Sequence, residues 1–193
     1  MLKFMLIAFY KPYGVLCQFT EDQPGQKTLA DFDFPKHVYP VGRLDMDSEG
    51  LLLLSDEAKL NDTLLNPKNA HIRSYLVQVE GIPNNEALMR LSNGSLMIQG
   101  HRCLRSTVEI VTTCLEIPPR DPPIRVRKLI PDSWLHIELI EGKNRQVRRM
   151  TAAVGHPTLR LIRSKIGAFS DPNLTSGTWR ILSDAERKLI FTK

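Results

Sequence analysis

Residues Val41 to Glu57 read VGRLDMDSEGLLLLSDE. Three carboxylates at alternate positions, Asp45, Asp47 and Glu49, lead into four consecutive leucines, and Arg43 stands just ahead of them. The leucine run, bounded by Gly50 and Ser55, has the length and composition of a buried strand. The acids before it have two readings. In one they form a turn, with Asp47 or Ser48 capping the backbone and Gly50 making the bend. In the other they form a loop that does chemistry. If the backbone is extended there, the carboxylates share one side and repel, so a cation must answer at least one of them. Arg43 is near in sequence. A carboxylate held beside an arginine stays ionised, which suits a nucleophile or general base rather than an acid. Mg²⁺ binding by the three acids is the rival chemical use. Residue chemistry alone does not single out one carboxylate.

Outward from this stretch, strands outnumber helices. The opening MLKFMLIAFYKPYG and the segments RSYLVQVEGI, SLMIQ, STVEIVTT, WLHIELIEG, TLRLIRSKIG and TWRIL all read as strands. WLHIELIEG alternates, placing Leu135, Ile137 and Leu139 on one face. Residues 31–50 carry prolines, glycines and polar residues and read as a largely irregular approach. Helices are expected through DEAKLNDTLLN, capped by Ser55 or Asp56, with Leu60, Leu64 and Leu65 on one face and Pro67 as stop. Others are expected over NNEALMRLSNG, from about Asn144 to Val154 with Gly155 as stop, and over DAERKLI. The proline-dense EIPPRDPPIRVRKLIP reads as a long surface loop or crossover. Hairpins mixed with helical connections predict an α+β fold on a mixed, mostly antiparallel sheet flanked by helices. With 193 residues, no internal repeat and no linker, one domain is expected, or two fused halves sharing a sheet.

The composition is that of a globular chain, 42% hydrophobic and 24% charged. A net charge of +5 favours a polyanionic partner without identifying one. Cys17, Cys103 and Cys114 show no CxxC spacing and read as free thiols in a reducing, cytoplasmic setting. The apolar start is short and interrupted by a lysine, so it reads as a core strand rather than a signal peptide. No segment approaches the ~20 apolar residues that span a bilayer.

The segment KNRQVRRMTAAVGHPTLRLIRSK, Lys143 to Lys165, holds seven lysines and arginines and no acid. On a helix at about 100° per residue, Arg145, Arg148 and Arg149 cluster on one side while Val147, Met150 and Val154 gather on the other. A solvated basic face is the ordinary reading. The lack of interleaved Glu or Asp argues instead for phosphate contact, which arginine's planar fork suits. No P-loop or GxGxxG cradle is present, so an extended polyanion such as RNA fits this ridge better than a nucleotide cofactor.

GRLDMDSEGLLLLSD, Gly42 to Asp56, resembles the signature of the RsuA/RluB/RluE/RluF family of ribosomal RNA pseudouridine synthases. KPYG (Lys11 to Gly14), RSYLVQVEG (Arg73 to Gly81) and EGKNRQVRRM (Glu141 to Met150) agree in order and spacing. The resemblance implies the pseudouridine synthase fold with an active-site cleft across the sheet. KPYG begins at residue 11, which leaves no room for the N-terminal S4-type domain of many relatives and points to the RluE-like branch acting on large-subunit rRNA. By this resemblance Asp45 is the catalytic aspartate and Tyr75 stacks on the flipped base, although a core strand residue is its plain reading. Arg148 pairs with the aspartate, Val147 takes the apolar position beside the base, and Arg43 reaches into the space the base vacates or holds its phosphate. Lys143, Arg145, Arg149 and Lys11 are the expected RNA contacts, and Asp47 and Glu49 revert to the turn.

Pseudouridylation detaches uracil from C1′ and rejoins it through C5 with no net change of atoms, so no metal, redox cofactor or phosphate donor is expected. The stacked base must be flipped out at a cost of a few kcal/mol. Phosphate contacts, and stacking worth roughly 1–3 kcal/mol per base, offset that cost. Asp45 has three possible points of attack, C1′, C6 or the C2′ proton. The rival functions are small-subunit rRNA or another RNA as substrate, a silent RNA-binding or ribosome-assembly protein, and a metal-dependent nuclease. A monomer is expected.

Overall fold

The computed structural model describes residues 4–124 and 130–192. In chain order its strands and helices are β1 (Leu6–Lys11), β2 (Tyr39–Val41), β3 (Glu49–Ser55), α1 (Leu60–Leu65), β4 (Arg73–Glu80), α2 (Asn85–Ser92), β5 (Met97–Ile98), β6 (His101–Arg102), β7 (Thr107–Ile110), β8 (Asp132–Leu139), α3 (Gln146–Ala153), β9 (Thr158–Ile166), β10 (Trp179–Ile181) and α4 (Asp184–Ile190). This is a mixed α and β architecture on a mostly antiparallel sheet with few helices. The chain forms two compact units, one of residues 1–72 and 163–193, the other of residues 73–162.

In the first unit β1 pairs antiparallel with both β10 and β3, in a register that sets Lys11 opposite Gly50 and Phe9 opposite Leu52. Every residue of β3 is buried. Its leucines divide by parity. Leu51 and Leu53 join Leu6, Ala8, Leu60, Leu64 and Ile190 in one apolar cluster. Leu52 and Leu54 join Ile7, Phe9, Val15, Cys17 and Leu44 in another. An unbroken apolar run is what a strand covered on both faces requires.

Three local expectations are corrected in this unit. β2 lies in the stretch expected to be irregular, where Tyr39–Val41 pairs with Leu53–Ser55 of β3. Helix α1 starts at Leu60 rather than after Ser55: Ser55 Oγ accepts from Glu57 N at 3.1 Å, but the residue at the helix start is Lys59, which makes no side-chain cap. Ser55 Oγ donates to the Met5 carbonyl at 2.6 Å, and Asp56 Oδ1 accepts from the Met5 amide at 2.8 Å. Leu65 leaves the buried face and is 39% exposed.

In the second unit β8 pairs antiparallel with β4 and β7. Leu135, Ile137 and Leu139 point with Tyr75, Val77 and Val79 into one core, which Leu91 of α2 and Val147 and Met150 of α3 complete. The other face is polar, with Ser74 Oγ donating to Glu138 at 3.0 Å. β5 and β6 form a separate two-residue hairpin through Gln99 and Gly100. The described part of the proline-dense segment carries no strand or helix, and its residues 125–129 lie outside the described residues. No described helix is long and apolar enough to cross a membrane.

Candidate active site

The acidic loop of the first unit is held by its backbone. Gly42 enters it with φ +75°, a conformation that favours glycine, and its amide donates to Asn61 Oδ1 at 2.9 Å. Ser48 N donates to Asp45 O at 3.0 Å, closing a turn around Met46 and Asp47. The Met46 carbonyl accepts from Gly14 N at 2.8 Å and from Lys11 Nζ at 3.3 Å. Leu44 is buried in the core on one side of Asp45, and Ser48 is buried on the other. Asp45 is therefore half-buried on a loop pinned both before and after it. Arg43 is exposed, as is Met46.

Lys11 is where sequence and structure part. It was expected to meet RNA, but it has no exposed surface. Its ammonium donates to the carbonyls of Pro12 (2.8 Å), Val15 (2.7 Å) and Met46 (3.3 Å). Burial pushes its pKa down to about 8, against the opposing pull of Cys17, Glu49, Asp47 and Asp45. Lys11 is thus a buried cation within electrostatic reach of all three acids. Nothing in its KPYG setting separates a buried ammonium from a phosphate contact. The neighbouring Cys17 thiol is raised by its own burial, and all three cysteines are free. Glu49 is 4% exposed and opens β3, in keeping with a structural part. Among the described residues no three His, Cys, Asp or Glu side chains converge as a metal-binding group.

The second unit holds the remaining proposed residues. Tyr75, on the inward face of β4, shares its core with Val147 of α3. Helix α3 begins at Gln146, not Asn144, and its cap residue Arg145 has a left-handed backbone with φ 51° and makes no side-chain cap. Lys143 and Arg145 are exposed, whereas Arg148 and Arg149 are half-buried. Arg149 is tied down: it donates to Gln99 Oε1, and to Asn144 Oδ1 at 2.8 Å. The expected ridge is narrower than the sequence suggests, because Arg160 and Arg163 are buried. Arg160 Nη1 donates to Pro118 O at 2.8 Å, and Arg163 Nε donates to Leu51 O at 2.7 Å. The exposed cations of the turn stand at the N-terminal end of α3, which has no acid in its first turn to answer the helix dipole.

Each unit thus supplies its own part. The first holds Asp45 on a clamped loop with Arg43 and the buried Lys11. The second holds Tyr75, Val147 and Arg148 above a turn bearing Lys143 and Arg145. Sequence reasoning passed over Glu141, which is 2% exposed and anchors that turn. The available signal was a single acid opening an otherwise basic segment.

Comparison with known proteins agrees over most of the chain. A family model described as RNA pseudouridylate synthase matches residues 5–153. A protein of Xanthomonas campestris pv. campestris named ribosomal large subunit pseudouridine synthase E is 49% identical over 178 residues, covering 92% of this chain and 95% of that protein. A protein of the same name from Vibrio vulnificus is 46% identical, covering 92% of this chain and 75% of its own length. A solved structure described as a crystal structure of pseudouridylate synthase superposes with a TM-score of 0.78 at 25% identity, covering 98% of this chain and 75% of that one. Family match and near full-length similarity lead to one conclusion: the chain belongs to the RNA pseudouridylate synthases and is an isomerase of that family.

Proposed function

We propose that the protein converts a uridine of large-subunit ribosomal RNA to pseudouridine, with Asp45 as the catalytic carboxylate. The substrate assignment is carried by the near full-length similarity, at 49% identity, to a relative named for the large ribosomal subunit. The assignment of Asp45 rests on its place in the GRLD motif, and the clamping of that loop by Lys11 and Gly14 supports it. A reacting group on a backbone held this firmly starts near its productive geometry.

In the reaction the N1–C1′ bond breaks and a C5–C1′ bond forms. The proton on C5 leaves to solvent, and N1 takes one up. Asp45 starts the exchange, at C1′, at C6 or by taking the C2′ proton, while Tyr75 stacks on the flipped uracil and Val147 lies against it. Arg148 keeps the aspartate ionised while substrate excludes water. Arg43 fills the space left by the base or holds its phosphate. Lys143 and Arg145 are exposed, so they are the proposed contacts to the RNA backbone, with Arg149 at their edge. A monomer acting in the cytoplasm is part of the same proposal.

The test is to incubate the protein with unmodified large-subunit and small-subunit rRNA and map pseudouridine by carbodiimide adduct and primer extension. A stop at one uridine of the large-subunit RNA is expected. Modification confined to the small-subunit RNA contradicts the substrate assignment, and modification of neither contradicts the activity.

A further inference from the structure

Glu141 lies between β8 and the arginine-bearing turn, and no step of the reaction uses it. Its Oε1 accepts from Leu104 N at 2.8 Å and from Gln146 Nε2 at 2.5 Å, and its Oε2 meets His101 Nε2 at 2.9 Å. Burial pushes this carboxyl upward, yet the Leu104 amide, His101 and Gln146 together outweigh it and hold it below the usual range. An ionised acid at 2% exposure is costly unless its bonds are specifically needed.

Those bonds lead to α3. Gln146 is the first residue of the helix and is 4% exposed. Its side-chain Oε1 accepts from Lys143 N at 2.9 Å while its backbone N donates to Lys143 O at 3.0 Å. The turn bearing Arg145 is therefore closed twice through one residue, once by its side chain and once by its backbone, and the side-chain amide donates to Glu141. Val147 and Arg148 follow directly. On the far side, the β5–β6 hairpin backs the same assembly through His101 on Glu141 and Gln99 on Arg149.

We infer that Glu141 is a positioning residue for the reaction: through Gln146 it fixes the turn and helix start that deliver Arg148. This rests on the role given to Arg148 above. Glu141→Gln preserves the arrangement, since its carbonyl oxygen accepts from Leu104 and Gln146 while its amide donates to the other neutral tautomer of His101. Glu141→Ala removes all of it.

The experiment measures single-turnover rate and RNA affinity of the full chain on an unmodified large-subunit rRNA transcript, with thermal melting as control. Glu141→Ala is expected to slow the rate about tenfold or more with Kd changed less than about twofold, because small misplacements of a reacting group are costly. Glu141→Gln should restore most of the rate. Gln146→Leu, which cuts the relay and leaves the His101 and Leu104 bonds, should match Glu141→Ala, and it serves as the test if Glu141→Ala does not fold. The double variant Glu141→Ala, Arg148→Ala should be no slower than Arg148→Ala alone, because one residue acts through the other. A multiplicative loss in the double variant, or an undiminished rate in Gln146→Leu, overturns the inference. An undiminished rate in Arg148→Ala alone overturns the proposed role of Arg148 instead.

Discussion

Lys11 spends its donor hydrogens on the carbonyls of Pro12, Val15 and Met46, so its charge state and the shape of the acidic loop are linked. Below about 8 the ammonium is present, and above it the side chain loses a donor and the charge that faces Asp45, Asp47 and Glu49. Turnover should therefore fall as pH rises through about 8. The stability contribution runs the other way. The folded value of about 8 lies below the ordinary lysine value of 10.5, so the unfolded chain binds more protons between them, and this group's contribution to stability rises with pH across that window. Opposite pH slopes of single-turnover rate and urea midpoint are the expected signature, and Lys11→Met should lower the rate at neutral pH and abolish the alkaline decline. The arginines divide by exposure. Arg145→Ala should weaken RNA binding and reduce the salt slope by about one, with turnover of bound RNA little changed. Arg148→Ala should suppress turnover more than binding, and filter binding across a salt series together with single-turnover rates separates the two.

Among the elements, β3 anchors the acidic loop that precedes it, because it is packed on both faces. Leu52→Ala leaves a cavity in a fully buried cluster and should cost about 2–5 kcal/mol, read from urea unfolding, while residual activity per folded molecule stays near normal. The strands β3, β4 and β8 were legible because their apolar pattern matches their burial, continuous in the first and alternating in the third. β2 was not, since Pro40 and polar neighbours hide a three-residue strand whose pairing with β3 is a tertiary matter. The start of α1 lies later than expected for a related reason: Ser55 caps only the Glu57 amide, and both Ser55 and Asp56 also bond Met5, distant in sequence. Likewise the charge count of Lys143 to Lys165 suggests a longer cationic surface than exists, because burial of Arg160 and Arg163 is set by partners that periodicity does not reveal.

Over the whole molecule, the residues proposed for the chemistry fall in both compact units, Asp45 in one and Tyr75 and Arg148 in the other. Charge and composition point to a polyanionic partner, and the spacing of acids shows that a cation is required near them. They do not choose Asp45 over Asp47 or Glu49, and that choice came from the GRLD resemblance. That Lys11 is a buried cation near them needed the structure, because a lysine in KPYG reads equally as a surface contact. The central claim is that Asp45 performs the isomerisation. Its most direct test is release of tritium from uridine labelled at C5 in large-subunit rRNA. The wild-type protein should release label, and Asp45→Asn should bind the same RNA with unchanged affinity and release none. Full release by Asp45→Asn would contradict the account.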